Sequence, residues 1–201
     1  MKKPTNPILE IAKIFSQVYP ELDANALFKT YIKLAKKWEK QANKFSKPVK
    51  FLIIGEATQN LGNYFYNELA KITPFLTPSH FNCISKEELI IKLRELNALI
   101  FDLYPLPLAT TYYDKSNVKH SDKYQECMNE YFKNALLGKV DKDTIIVVRY
   151  SKLLKRKEWR YFESFWKEFV SENGCTIKFI YGNGFFADEK KIEDIFLTER
   201  Y

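Results

Sequence analysis

Two carboxylates sit where short apolar runs stop. Glu56 follows Phe51-Leu52-Ile53-Ile54-Gly55, and Asp102 closes Ala98-Leu99-Ile100-Phe101 ahead of Leu103-Tyr104-Pro105-Leu106-Pro107. A carboxylate at the first place can serve as a general base or hold a water, or it can tie backbone amides together. At the second it can accept from donors on a ligand edge, or cap a turn before Pro105. A third run, Thr176 to Tyr181, ends in Gly182-Asn183-Gly184, so Asn183 offers an amide. Phe65, Tyr66 and Tyr104 supply flat faces that serve either as core or as stacking platforms. The stretch from Lys152 to Tyr161 interleaves Lys152, Lys155, Arg156, Lys157 and Arg160 with Trp159 and Tyr161. That mixture suits phosphate contact, and cations at a helix start run against the helix dipole.

The elements that must hold these groups follow from periodicity. Phe51 to Ile54, Ala98 to Asp102, Thr144 to Arg149 and Thr176 to Tyr181 are apolar runs of strand length, as expected for strands buried on both faces. Between and before them lie helical spacings. Ile8, Ile11, Phe15 and Val18 mark one helix, and Leu27, Tyr31, Leu34 and Trp38 mark a second spanning about 24–45. A helix is expected to open at Tyr64, and Ser85 with Glu88 forms a capping box before another. Ser121 starts a helix stopped at Gly138, and 158–172 carries an aromatic face of Trp159, Phe162, Phe165, Trp166 and Phe169. A last helix is expected at about 188–197. The prolines of 73–80 and of 105–107 predict a loop and an irregular connection running past Tyr112 and Tyr113.

Helices alternating with four strands predict one α/β domain over 1–201, a parallel sheet with helices on both faces. Residues 1–48 supply helices packed on the sheet core of 49–201. The ligand end of such a sheet is the carboxyl end of its strands. There Gly55 and Gly62 permit close backbone approach or positive φ.

The 201 residues carry a net charge of +7, which allows an anionic partner, nucleic acid above all. The second helix bears Lys33, Lys36, Lys37, Lys40 and Lys44 on one side, either a solvated face or a phosphate-tracking surface. Cys83, Cys127 and Cys175 are scattered, so neither a disulfide framework nor a zinc or iron-sulfur site is expected, and no cofactor. His80 and His120 read as surface histidines. No stretch is apolar enough to span a bilayer and Met1-Lys2-Lys3 has no apolar core behind it, so a cytoplasmic, monomeric protein is expected.

Gly55-Glu56-Ala57 after the first strand, Gly62 and Phe65 beyond it, and Asp102-Leu103-Tyr104-Pro105 after the second resemble the uracil-DNA glycosylase superfamily. The likeness is greatest to its poorly characterised uracil-DNA glycosylase-like branch, and it spans about 51–186. It implies a three-layer α/β/α fold, a four-stranded parallel sheet in the order 2-1-3-4, and a base pocket above it. Phe65 would stack the flipped base and Asp102 would read its edge. Gly55, Ala57, Gly62, Tyr66 and Tyr104 would complete the substrate site. Glu56 and Asn183 would be catalytic by positioning water, and the Lys152–Arg160 run would hold DNA phosphates. The implied activity is hydrolysis of an N-glycosidic bond of a flipped or damaged base, a DNA-repair reaction needing no metal. The alternative is a non-catalytic member of the fold that binds nucleic acid or a nucleotide.

Three differences from the family pattern sharpen this. Thr58 follows Gly-Glu-Ala where the well-studied branches have Pro, and no His lies near the fourth strand. An Asp replaces an edge-reading Asn. A carboxylate only accepts, whereas uracil presents a donor between two acceptors. Asp102 therefore suits an edge with adjacent donors, such as guanine N1 and N2, or the amino group of cytosine.

Overall fold

The computed structural model describes residues 6–56, 64–66, 83–115, 121–148, 151–170, 177–179, 182–183 and 186–187. Two helices come first, α1 (Pro7–Val18) and α2 (Ala24–Ala42). Each starts where a polar side chain takes an orphan amide: Asn6 Oδ1 accepts from Ile8 N–H at 2.9 Å, and Asp23 Oδ1 from Ala26 N–H at 2.6 Å. Then follow β1 (Phe51–Gly55), α3 (Lys86–Glu95) and β2 (Ala98–Asp102). Half of the box expected at α3 forms, with Ser85 Oγ accepting from Glu88 N–H, while Glu88 Oε2 accepts from the N–H of Ile84, one residue before the cap.

Next come α4 (Thr110–Lys115), α5 (Asp122–Leu136), β3 (Ile145–Val148) and α6 (Lys157–Val170). The helix α4 corrects the expectation of irregular chain past Tyr113. Pro105 and Pro107 lie before it, so from Thr110 onward every residue has its N–H and nothing bars a turn of helix. Tyr113 pins it to the preceding loop, its hydroxyl accepting from Leu106 N–H and donating to Leu106 O, both at 3.1 Å. The stop of α5 is as expected, with Gly138 at φ 73° in the left-handed region.

All five residues of β1 are buried, and it is the middle of an open parallel sheet. On one side Phe51 to Gly55 pair with Ala98 to Asp102; on the other Phe51 to Ile54 pair with Ile145 to Val148. The strand β4 (Ile177–Phe179) runs parallel to β3 from Ile146↔Ile177 to Val148↔Phe179, giving the order β2-β1-β3-β4. Two short strands, β5 (Gly182–Asn183) and β6 (Phe186–Ala187), pair antiparallel to each other. The chain steps one way from β1 to β2 and the other way from β2 to β3 to β4. Right-handed crossovers therefore put α3 on one face and α5 and α6 on the other, where α1 and α2 also pack. The reversal opens a crevice between the carboxyl ends of β1 and β3.

The free edge of β2 is closed by aromatic side chains. Leu103 N–H donates to Gly55 O, so Ile100 and Asp102 direct their backbone outward. There Ile100 N–H donates to Tyr66 Oη at 2.9 Å, Trp38 Nε1 donates to Ile100 O at 2.8 Å, and Tyr131 Oη donates to Asp102 O at 2.9 Å. Each bond satisfies a group that would otherwise recruit another strand.

Candidate functional site

The register sets the first half of the site. Gly55 and Asp102 are paired residues of neighbouring strands. A Cβ built on Gly55 would overlap Asp102 Oδ1, so glycine here answers to close approach rather than to positive φ. Asp102 lines a cavity of about 370 Å³ between α2, α5 and the end of β2. Its walls there are Tyr64, Phe101, Tyr104, Pro105 and Tyr131, with Tyr31 and Trp38 from α2; Asn43 and Lys139 lie among its other polar lining. The volume falls within the range of small-molecule sites, roughly 300–1,000 Å³.

The phenols around this cavity stay protonated. Burial pushes Tyr31 up to about 12, with Glu39 adding to it. Tyr64 and Tyr131 are raised well above 10.0, first by burial and then by neighbouring groups, among them Asp102. They are therefore neutral hydroxyls, that of Tyr131 with its proton already given to the Asp102 carbonyl.

The second half lies across the crevice between β1 and β3. Glu56 leaves β1, and its carbonyl accepts from Tyr104 N–H at 3.0 Å, which locks the two strand exits together. After β3 a 3₁₀ turn (Ser151–Lys155) leads into α6, and Arg156 between them turns inward. Arg156 Nη2 lies 3.5 Å from Glu56 Oε1, with only 22% and 14% of the two side chains exposed. A carboxylate expected to act on water and a cation expected to hold phosphate are thus each other's partner.

Glu158 was not singled out by sequence reasoning, because it lies inside a run of cations. It is fully buried, accepts from Tyr124 Oη at 3.1 Å, and neighbours the Tyr104 phenol, which burial and then the Glu158 charge hold far up. The signal was present, since Glu158 shares the helical stripe of Phe162, Phe165 and Trp166. Tyr104 itself is stacked on Tyr113 at 4.1 Å between centroids and 18° between planes.

The remaining expected residues divide. Phe65 and Tyr66 are each 6% exposed, packed edge to face at 5.0 Å, and neither lines the cavity. Phe65 has Lys86 Nζ 5.6 Å from its ring centroid, and Tyr66 serves the edge of β2. It is Tyr64 that lines the cavity beside Asp102. Lys155 and Arg160 are exposed and Lys157 is half-buried. For Lys152 in the 3₁₀ turn and Asn183 in β5 the backbone alone is described. Ala57, Gly62, His80, His120, Cys175, the loop at 73–80 and the helix expected at 188–197 lie outside the described residues. Cys127 is a buried thiol.

Among the described residues no His, Cys, Asp and Glu side chains group to hold a metal ion, and no helix is long and apolar enough to cross a membrane. Compared with protein-family models, with curated proteins and with solved structures, the chain has no match.

Proposed function

We propose that this chain binds a nucleobase of DNA in the cavity beside Asp102, as a member of the uracil-DNA glycosylase-like fold. One observation carries the reading: Asp102, whose carboxylate is held against Gly55 at a strand's carboxyl end, is among the residues lining an aromatic cavity large enough for a base. The strand order β2-β1-β3-β4 and the Gly-Glu and Asp-Leu-Tyr-Pro motifs at the exits of β1 and β2 support the placement in that fold. A base taken out of its stack needs a flat apolar wall and an edge partner, and Tyr64, Tyr104 and Asp102 supply both. An acceptor-only partner favours guanine, with its adjacent N1 and N2 donors, or the amino group of cytosine over uracil.

The test is binding of oligonucleotides that differ in one extrahelical base. Wild type should prefer guanine or cytosine over uracil and over an abasic position, and Asp102→Asn should erase or reverse the order. An unchanged order in Asp102→Asn refutes the reading.

Hydrolysis of the glycosidic bond is the second reading, and the observation that favours it is Glu56 at the mouth of the central strand. Its carboxylate is engaged by Arg156 at 3.5 Å, so a reaction needs a ligand phosphate to draw the guanidinium away. Base release by wild type and not by Glu56→Gln, measured on mismatched and damaged duplexes, separates an enzyme from a binding protein.

A further inference from the structure

The cavity beside Asp102 is longer than a base. Along α2 its lining extends from Tyr31 to Asn43, which at 1.5 Å per residue is about 18 Å. Along the sheet it reaches from Asp102, the last residue of β2, to Lys139, whose carbonyl accepts from Val49 N–H just ahead of β1. It therefore runs the length of the strands, about 13 Å from Ala98 to Asp102 on β2 alone.

The two ends differ. At the Asp102 end Tyr64, Tyr104 and Tyr131 are buried, whereas Asn6, Asn43 and Leu137 at the other are exposed and form a mouth. Asn6 belongs to the mouth because α1 runs from it toward the strand exits, where Tyr19 Oη donates to Tyr112 O at 3.3 Å.

This mouth is built of donors. Lys139 Nζ donates to Asn43 Oδ1 at 2.6 Å, and Ile8 N–H donates to Asn6 Oδ1 at 2.9 Å. With both amide oxygens engaged, each asparagine has its NH₂ left to offer, and Lys139 keeps two further N–H groups and its charge. Among the described residues Lys139 is in no ion pair. Donors around a cation suit a phosphate. Between the two ends Glu39, one turn before Asn43, also lines the cavity. A carboxylate at that place repels a phosphate and accepts from hydroxyls, as an acidic residue does from ribose in dinucleotide sites. The order along the cavity is acceptor, aromatic wall, acceptor, donors. A nucleotide presents the matching order of edge donors, ring, hydroxyls and phosphate.

We propose that the cavity takes a free guanine nucleotide, its base at Asp102, its sugar hydroxyls at Glu39 and its phosphate at the mouth on Lys139, Asn6 and Asn43. This rests on the base-binding reading for the Asp102 end and adds the sites for sugar and phosphate. An internal residue of a strand carries a phosphate on each side, whereas the one cluster of donors here matches a nucleotide with a single phosphate end.

The experiment is calorimetric titration with guanosine monophosphate, guanosine and inorganic phosphate, in wild type, Lys139→Gln, Asn43→Asp and Asp102→Asn. The monophosphate should bind roughly ten- to hundredfold tighter than guanosine, the worth of a hydrogen bond to a charged group. Lys139→Gln should bring that ratio close to one with guanosine affinity as in wild type. Asn43→Asp, which sets a carboxylate against Lys139, should do the same should Lys139→Gln disturb folding. Asp102→Asn should weaken both ligands alike. Equal binding of monophosphate and guanosine by wild type, with both weakened in Asp102→Asn, overturns the phosphate site and leaves the base reading standing. Inorganic phosphate bound as tightly as the monophosphate, with Asp102→Asn without effect, overturns the base reading and leaves an anion site. A guanine-bearing oligonucleotide bound tighter than the monophosphate, with no loss in Lys139→Gln, overturns the free nucleotide as ligand.

Discussion

Gly55→Ala separates the role of Asp102 from the stability of the fold. The new Cβ would fall onto Asp102 Oδ1, while Asp102 Cγ stays 3.6 Å away and the Phe101 carbonyl 3.7 Å. Backbone is therefore tolerant, and the carboxylate is what must move. Swinging it off its preferred rotamer costs about 0.5–1.5 kcal/mol. Replacing Gly by Ala where φ is not positive returns about 0.4–1 kcal/mol through the unfolded chain. The two nearly cancel, so urea unfolding should show a change within about 1 kcal/mol. Binding should respond much more, because a hydrogen bond to a charged group is worth about 1.5–3 kcal/mol, or roughly ten- to hundredfold in affinity. The assay is titration with an oligonucleotide bearing an extrahelical guanine, in Gly55→Ala, Asp102→Ala and the double variant. The single losses should match, and the double should lose no more than either. Wild-type affinity in Gly55→Ala, or additive losses in the double variant, would falsify the placement of the Asp102 carboxylate as the edge reader.

Three other outcomes follow from the same geometry. Glu56→Gln removes a counter-charge from the largely buried Arg156 and should lower stability by about 1–2 kcal/mol in urea unfolding, a loss partly regained in Glu56→Gln/Arg156→Met. Tyr31 is raised from 10.0 to about 12 in the folded chain, so its contribution is complete below pH 10.0 and is lost as pH rises through about 12; alkaline unfolding should be less steep in Tyr31→Phe, by about 2–3 kcal/mol at the top of that range. Tyr124→Phe removes one donor to buried Glu158 and should cost about 1–3 kcal/mol, measured by thermal or urea unfolding.

Strands were legible because burial on both faces leaves a plain apolar run, as in Phe51 to Ile54, and two helix starts because Ser85 and Ser121 cap in the ordinary way. The convergence of Gly55 and Asp102 followed from placing both at strand exits. Which aromatic residue faces the cavity did not follow. Phe65 and Tyr64 are neighbours, and a turn rather than a helix at 65–66 decides which ring points where. The basic run misled for a related reason. Charge counted along a sequence treats every cation as solvated, whereas the 3₁₀ turn before α6 sends Arg156 inward and draws Glu158 into the aromatic core. Long-range pairing of this kind leaves no local mark.

The two halves of the site are not independent, because Tyr104 belongs to both. Its ring is part of the Asp102 cavity, its amide holds the Glu56 carbonyl, and its phenol lies in the field of Glu158, Arg156 and Glu56. Stacking on Tyr113, itself tied to Leu106 through both backbone groups, leaves that ring little freedom to rotate. On the base-binding proposal, a base seated against Tyr104 would meet a wall whose position is fixed by the same contacts that set the Glu56 backbone. Recognition at β2 and charge at the crevice between β1 and β3 share one rigid support. That is the arrangement a protein needs if occupancy of the first is to be felt at the second, since coupling requires a packed element that both sites touch.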